Sequence, residues 1–365
     1  MTNSKNQTKH LSTDNYTIVR KNYFDTIVVP ALSSLQKKTE PIIKNYIIAG
    51  KKVHLVFYSP ILSEKMSHAL EHHSGFSGDQ GDLTVHLWDS ITTETKMMSP
   101  WSKPEYSDRQ TNAQNTIGDA HFLGVYLFGE ETLNLYNKEN KVAYFWTRDA
   151  NVLPDWISAA PLRTLLHWFL SDYNIHLVHG GVVASGGNAI LLGAKGGSGK
   201  STTALSSLLS GMDYLADDYV AIEIGEKNIA YSLYNSVKIT PNTLNVFPEL
   251  SEKIWNKETV GGELDLGKAI VFMSKFFPKQ MVEKSELVAI CIPTIKNETK
   301  IVPASKLATM LALAPTILFQ LPLASSSKMS DLKEIIATTP CYFLELGPEI
   351  RKVPEVLQDF LKHAK

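Results

Sequence analysis

Alternating apolar and polar positions dominate the first part of the chain. "KVHLVFY" and "LTVHLW" have the period of half-buried strands, and "TIVVPAL" is an apolar run read with them. "FLGVYLFG" and "TLNLYNKENKVAYFW" extend the pattern, and the turn-prone "NKEN" between two alternating runs predicts a hairpin or meander. A short helical run, "SEKMSHALEHH", begins at Ser63. The period then changes. Leu162, Leu165, Leu166, Phe169 and Leu170 recur at i, i+3, i+4, i+7 and i+8, one face of an amphipathic helix starting near Pro161.

Beyond that helix come the strand-like "IHLVHGGVVA", a glycine-rich turn "SGGN", and the apolar strand "AILLG". A helix follows from Lys200 to about Ser210, which Gly211 is suited to stop, and then the strand "YLADDYVAIEI". "SVKIT", "AIVFM", "ELVAICIP" and "CYFLEL" are further strand candidates; "ASKLATMLALA", "SKMSDLKEIIA" and "EVLQDFLKHA" are helix candidates. Strand, loop, helix, strand is a βαβ-type unit, so this half reads as α/β. The expected organisation is a disordered polar tail (1–16), a strand-rich α+β domain for substrate or accessory use (17–153), and a nucleotide-binding domain (154–365), with the boundary near Pro154.

Composition narrows the class. Hydrophobic residues make up 44% and charged residues 20%, the balance of a soluble globular protein. Net charge is 36 − 37 = −1, which supplies no general attraction to nucleic acid or anionic membrane, so neither is an expected partner. The polar N-terminus lacks the apolar core of a secretory signal, and no run approaches the ~18 apolar residues of a membrane span. A cytoplasmic location is the expectation. Cys291 and Cys341, each inside an apolar run, read as core thiols.

The chemistry is concentrated in "GAKGGSGKS". Gly193, Gly199, Lys200 and Ser201 match GxxxxGK[ST], with a strand before and a helix after, and Gly196 and Gly197 add backbone freedom. Such a loop turns the amides of Gly193 to Thr202, Ser198 included, toward the phosphates of a nucleotide such as ATP. Lys200 reaches the β/γ-phosphates, and the Ser201 hydroxyl ligates Mg²⁺.

The partners of the loop carry the discrimination. Asp217 and Asp218 follow Lys200 by 217 − 200 = 17 and 218 − 200 = 18 positions. Neither an LSGGQ-type signature nor an NKxD-type base-reading motif is found. On a strand, adjacent aspartates face opposite ways, so one can face Mg²⁺ and the other the acceptor, or one can face the core. A carboxylate in reach of an acceptor hydroxyl can serve as its base. His179 precedes Lys200 by 200 − 179 = 21 residues and is read as opening the first strand of a hairpin that feeds the loop; alone, such a histidine is more often structural.

From His179 to Asp218 the chain resembles the HPr kinase/phosphorylase family, on "HGGVVASGGNAILLGAKGGSGKSTTALSSLLSGMDYLADD". More loosely, "PLRTLLHWFL", "VKITP", "GKAIVF" and "SELVAICIPTI" are similar to relatives that phosphorylate serines of ribosomally made peptides such as lasso-peptide precursors. The resemblance implies a phosphoenolpyruvate-carboxykinase-like nucleotide fold and transfer of the ATP γ-phosphoryl to a serine hydroxyl of a peptide or protein. It also implies that His179, Lys200 and Asp218 are catalytic and that Ser201 binds Mg²⁺, with Asp217 beside it. A small hydroxylated metabolite as acceptor, or an ATP-binding switch without transfer, are the other readings; the oligomeric state, a homo-oligomer included, stays open.

Three departures qualify this. The family's later glutamate and its catalytic arginine are not recognisable. No arginine lies between Arg163 and Arg351, so Lys238 and Lys268 are the candidates for the charge on the transferring phosphoryl. The N-terminal half does not resemble the regulatory domain of true HPr kinases, so neither HPr as substrate nor the reverse reaction is expected. Among lesser signals, His68 and His72 share a helical face but lack further ligands and read as solvated, and the aromatics of "WSKPEY" and "AYFW" read as core packing rather than a peptide groove.

Overall fold

The computed structural model describes residues 23–97, 114–118, 121–127, 130–257, 268–318 and 326–364. The expected tail (1–16) and "WSKPEY" lie outside them. The run "TIVVPAL" is helical, not extended: a π-turn over Phe24–Val28 leads into α1 (Val29–Lys38). Its β-branched residues suggest a strand, but Val28, Ala31 and Leu35 fall on one helical face and are buried together, and burial of that face outweighs propensity.

Next come β1 (Ile42–Ile48) and β2 (Lys51–Phe57), joined through Ala49 and Gly50, both at positive φ as a tight hairpin turn requires. The helix α2 (Pro60–Ser67) starts at Pro60, earlier than Ser63, with the Ser59 hydroxyl accepting from the Leu62 N–H. It ends before a 3₁₀ turn at His68–Leu70, so His68 and His72 do not share a helical face. Nor is His72 solvated: its Nε2 meets Ser232 Oγ at 2.8 Å, and His73 Nε2 meets Leu233 O at 3.0 Å. The strands β3 (Leu83–Asp89), β4 (Gln114–Gly118), β5 (Phe122–Leu127), β6 (Thr132–Asn137) and β7 (Val142–Thr147) complete a sheet of order β1-β2-β3-β7-β6-β5-β4. The expected meander is β5-β6-β7, with "NKEN" turning β6 into β7. "AYFW" is buried, as expected of core aromatics.

The amphipathic helix is α3 (Arg163–Ser171). After it come β8 (Ile175–His179), β9 (Gly181–Ser185), β10 (Asn188–Leu192), α4 (Lys200–Leu209), β11 (Asp213–Ala216), β12 (Tyr219–Glu223) and β13 (Ile229–Ser232). A separate pair is β14 (Ser236–Ile239) with β15 (Ala269–Phe272). The long β16 (Lys284–Ile295) is followed by β17 (Lys300–Pro303), α5 (Lys306–Leu318), α6 (Ser326–Thr338), β18 (Cys341–Leu346) and α7 (Lys352–His363). The second sheet has the order β11-β9-β10-β16-β13-β12-β8, with β18 also on β16 and β17 on β18. Because β9 runs antiparallel to both β10 and β11, those two run the same way, and α4 is the crossover between them. The molecule is therefore mixed α/β with mixed sheets.

Two sequence readings change here. "YLADDYVAIEI" is two strands, broken by a bend at Asp217-Asp218. His179 does not open the hairpin; it closes β8, opposite Tyr219 on β12. The two ends of the second sheet meet at this point, since the chain passes from β8 to β9 at Gly180 and from β11 to β12 at Asp217-Asp218, and Gly180 N–H donates to Asp218 O at 3.0 Å. A Cβ on Gly180 would lie 2.8 Å from Leu192 O, so only glycine allows the close approach.

One apolar core joins residues from both sides of Pro154, with Leu55 and Leu87 packing in the same cluster as Leu166, Phe169, Tyr219 and Phe272. Two further cores flank the second sheet: Leu205, Leu208, Leu357 and Leu361 on one side, and Leu313, Leu332, Ile335 and Ile336 on the other. Cys291 and Cys341 are buried and free, one in each. Among the described residues no helix is long and apolar enough to cross a membrane.

Candidate functional site

The loop begins where β10 ends, with Gly193 N–H donating to Cys291 O at 3.0 Å. Gly196 and Gly197 form its exposed outer turn, and Ser198 follows with its Oγ buried and without a partner. Gly199 is the N-cap of α4 at φ 98°, and a Cβ there would lie 2.7 Å from Leu346 Cδ1, so torsion and space both demand glycine. No side chain caps α4, and its first turn, with Ser201 and Thr202, carries no acidic residue; its free amides and positive dipole end suit an anion. Lys200 is 8% exposed, and its Nζ donates to Ala194 O at 2.6 Å and Lys195 O at 3.0 Å. Burial lowers its pKa, Asp217 and Asp218 act against that, and the Lys268 charge adds to the lowering.

Asp217 and Asp218, neighbours in sequence, have opposite surroundings. Asp217 is 5% exposed, its Oδ1 has no partner, and its Oδ2 accepts a long hydrogen bond of 3.4 Å from the Lys238 backbone N–H. Burial, reinforced by the charge of Asp218, raises its pKa to about 6, against the opposing hydrogen bond of Ser201. Asp218 is held at both oxygens: Oδ1 lies 2.9 Å from His179 Nε2, and Oδ2 accepts from Lys238 Nζ at 2.6 Å. Burial alone would raise its pKa, but the Lys238 ammonium and the His179 hydrogen bond outweigh it and hold the carboxyl well below its usual range. An ionised carboxylate only accepts, so His179 donates from Nε2; its Nδ1 is buried without a partner.

Behind His179 stand two residues that sequence reasoning missed. The Tyr219 ring meets His179 edge-on, with centroids 5.4 Å apart. Arg163 NH1 donates to Tyr219 OH at 2.7 Å, with the guanidinium 5.0 Å from the ring centroid. In the sequence Arg163 only bounded an arginine-free stretch, and Tyr219 was one apolar strand position among several. The available signal was their position beside a predicted helix start and beside the Asp pair.

The structure thus brings together His179, Lys200, Ser201, Asp217, Asp218 and Lys238. Lys268 is exposed, one residue before β15, and is linked to them through its charge at Lys200. Chemically, the arrangement sets a glycine loop whose amides suit an anion, together with a buried lysine, beside one undercompensated carboxylate and one carboxylate fixed by a histidine and a second lysine.

No protein-family model matches the chain, and no curated protein matches it. Among solved structures it is similar to the HPr(Ser) kinase/phosphatase from Coxiella burnetii, at 14% identity over 51% of this chain and 94% of that chain, with a TM-score of 0.29. A similarity at that score does not by itself define a shared fold or activity.

Proposed function

We propose that the protein is an ATP-dependent kinase that transfers the γ-phosphoryl group to a serine-type hydroxyl of a peptide or protein. The observation that carries this reading is Asp218, fixed between His179 and Lys238 beside a glycine loop with a buried lysine. Phosphoryl transfer depends mainly on positioning and charge stabilisation, and these residues supply both.

In this reading the loop amides from Gly193 to Thr202 and the Lys200 ammonium hold the phosphates. The partnerless, buried Asp217 Oδ1 and the Ser201 hydroxyl bonded to that carboxylate are the hard oxygen donors that Mg²⁺ prefers, so these two residues would hold the ion. Bound there, Mg²⁺ would offset the negative charge of the phosphates. Asp218 accepts the proton of the attacking hydroxyl, with His179 fixing the orientation of its carboxylate. Lys238 is near enough to Asp218 to supply the positive charge in place of the family's catalytic arginine, which is not recognisable in this chain, with Lys268 acting on the site through its charge at Lys200.

Asp218→Asn keeps the shape and removes the proton acceptor. Transfer is expected to fall by at least about a hundredfold, the lower range for losing acid–base catalysis, with ATP affinity by calorimetry changed less than about threefold. Normal transfer with weakened ATP binding would remove Asp218 from the role of base.

A further inference from the structure

His179 holds Asp218 through one nitrogen, Nε2, at 2.9 Å, while its Nδ1 is buried without a partner. Where a histidine orients another group, a hydrogen bond at its second nitrogen ordinarily fixes the plane of the ring. Without that bond the imidazole can pivot on its contact with Asp218, so its plane must be set by packing. The packing partner is Tyr219, which pairs with His179 across β8 and β12 and meets its ring edge-on, at 5.4 Å and 69°. Tyr219 is 2% exposed, and burial raises its pKa to about 12 against the opposing charge of Arg163. It is a neutral phenol that acts by position rather than by taking a proton.

Tyr219 is in turn held by Arg163, whose Nη1 donates to its hydroxyl at 2.7 Å. Arg163 stands there against its local preferences. It is the first residue of α3, where a cation faces the positive end of the helix dipole, and no acidic residue in the first turn offsets it. Leu162 before it caps the helix at φ 55°, a left-handed conformation that a bulky residue keeps when its surroundings hold it. Leu162 is buried, and Tyr234 OH donates to Pro161 O at 2.9 Å. Among the described residues Arg163 has no carboxylate partner, and its Nε is buried without any. An arginine placed at this local cost, and bonded to a tyrosine instead of an acid, points to a role for the contact it makes.

We infer that Arg163 and Tyr219 are positioning residues for the proposed base: Arg163 clamps Tyr219, Tyr219 sets the plane of His179, and His179 thereby aims the Asp218 carboxylate at the acceptor hydroxyl. The inference rests on the kinase reading above. Because both residues act through His179, their effect on transfer must vanish when the imidazole is gone.

The test is a mutant cycle on the full chain with ATP, Mg²⁺ and the best acceptor from an arrayed library of serine peptides. Tyr219→Phe keeps the ring and removes the hydroxyl, and Arg163→Met removes the clamp. Each is expected to lower kcat by at least about fivefold, with ATP affinity by calorimetry within about twofold of the parent as evidence of folding. If Arg163→Met does not fold, Tyr219→Phe carries the comparison. In a His179→Ala background the same substitutions are expected to change kcat by less than about twofold. Unchanged kcat in the single variants, or equal losses in both backgrounds, overturns the inference and leaves the kinase reading standing. A second readout needs no substrate: the His179 Nε2–H proton resonance in a chain isotope-labelled at its histidine nitrogens, assigned by its loss in His179→Ala. It is expected to be sharp in the parent and lost to water exchange in both variants. This resonance decides the inference where His179→Ala leaves too little transfer to measure, or where no peptide is phosphorylated, the result on which the kinase reading itself fails. Its persistence in both variants, or its absence from the parent, overturns the positioning role.

Discussion

Asp217 and Asp218 differ by one peptide bond and by nearly everything else that sets a carboxylate's behaviour. The first is buried with an oxygen unmatched, and the second is held by a lysine at 2.6 Å and a histidine at 2.9 Å. A bend between two strands, rather than the two faces of one strand, separates them. On the kinase reading, Lys238 is the residue whose loss should affect chemistry most selectively. Lys238→Met keeps the aliphatic stem and removes the charge. It is expected to reduce kcat by roughly 10²–10³-fold, the scale of losing one transition-state donor, with a much smaller change in ATP affinity. Steady-state and equilibrium measurements on the one variant check this, and equal losses in both would assign Lys238 to ground-state binding. Gly199 has a different role, structural and local. Gly199→Ala places a Cβ at φ 98° against Leu346 and should cost about 1–3 kcal/mol in chemical denaturation, together with ATP affinity.

At the scale of elements, the seam between the 3₁₀ turn after α2 and β13 gives a prediction in pH. His73 is buried there against Leu233 O, and burial lowers its pKa to about 4, against its backbone hydrogen bond; His72 beside it is lowered as well. The unfolded chain takes up a proton near the ordinary 6.5, whereas folded His73 does not until about 4. Stability is therefore full above pH 6.5 and falls as the pH drops across that window, by up to about 3 kcal/mol for this group. His73→Gln, which can still donate to Leu233 O, should flatten that slope in denaturation curves measured from pH 7 to 4; an unchanged slope would mean that other groups carry it. The same scale explains what was legible in the sequence. The loop, its helix and the β6–β7 turn were readable because each is contiguous and its signal local. The break at Asp217-Asp218 was not, since alternation continues through it and only the pairing of β11 with β9 and β12 with β8 ends one strand and starts another. "TIVVPAL" misled because its β-branched residues outweighed a helical face that three buried positions define.

Over the whole molecule, the site forms where the two ends of the second sheet meet, which is why residues as far apart as His179 and Lys238 converge on one carboxylate. His179 and Asp218 were identified through a family resemblance spanning both, whereas the pairing of Arg163 with Tyr219 depends on the packing of α3 against β8 and β6 and had no local signature. The core shared across position 154 ties the first sheet to that same region. The central claim is the destination of the γ-phosphoryl group. It is tested most directly by incubating the full chain with ATP radiolabelled in that group, Mg²⁺ and the serine peptide library, and then analysing where the label resides. The account predicts label on serine, dependent on peptide and lost in Asp218→Asn. Label found only as inorganic phosphate, at the same rate with and without peptide, would contradict it.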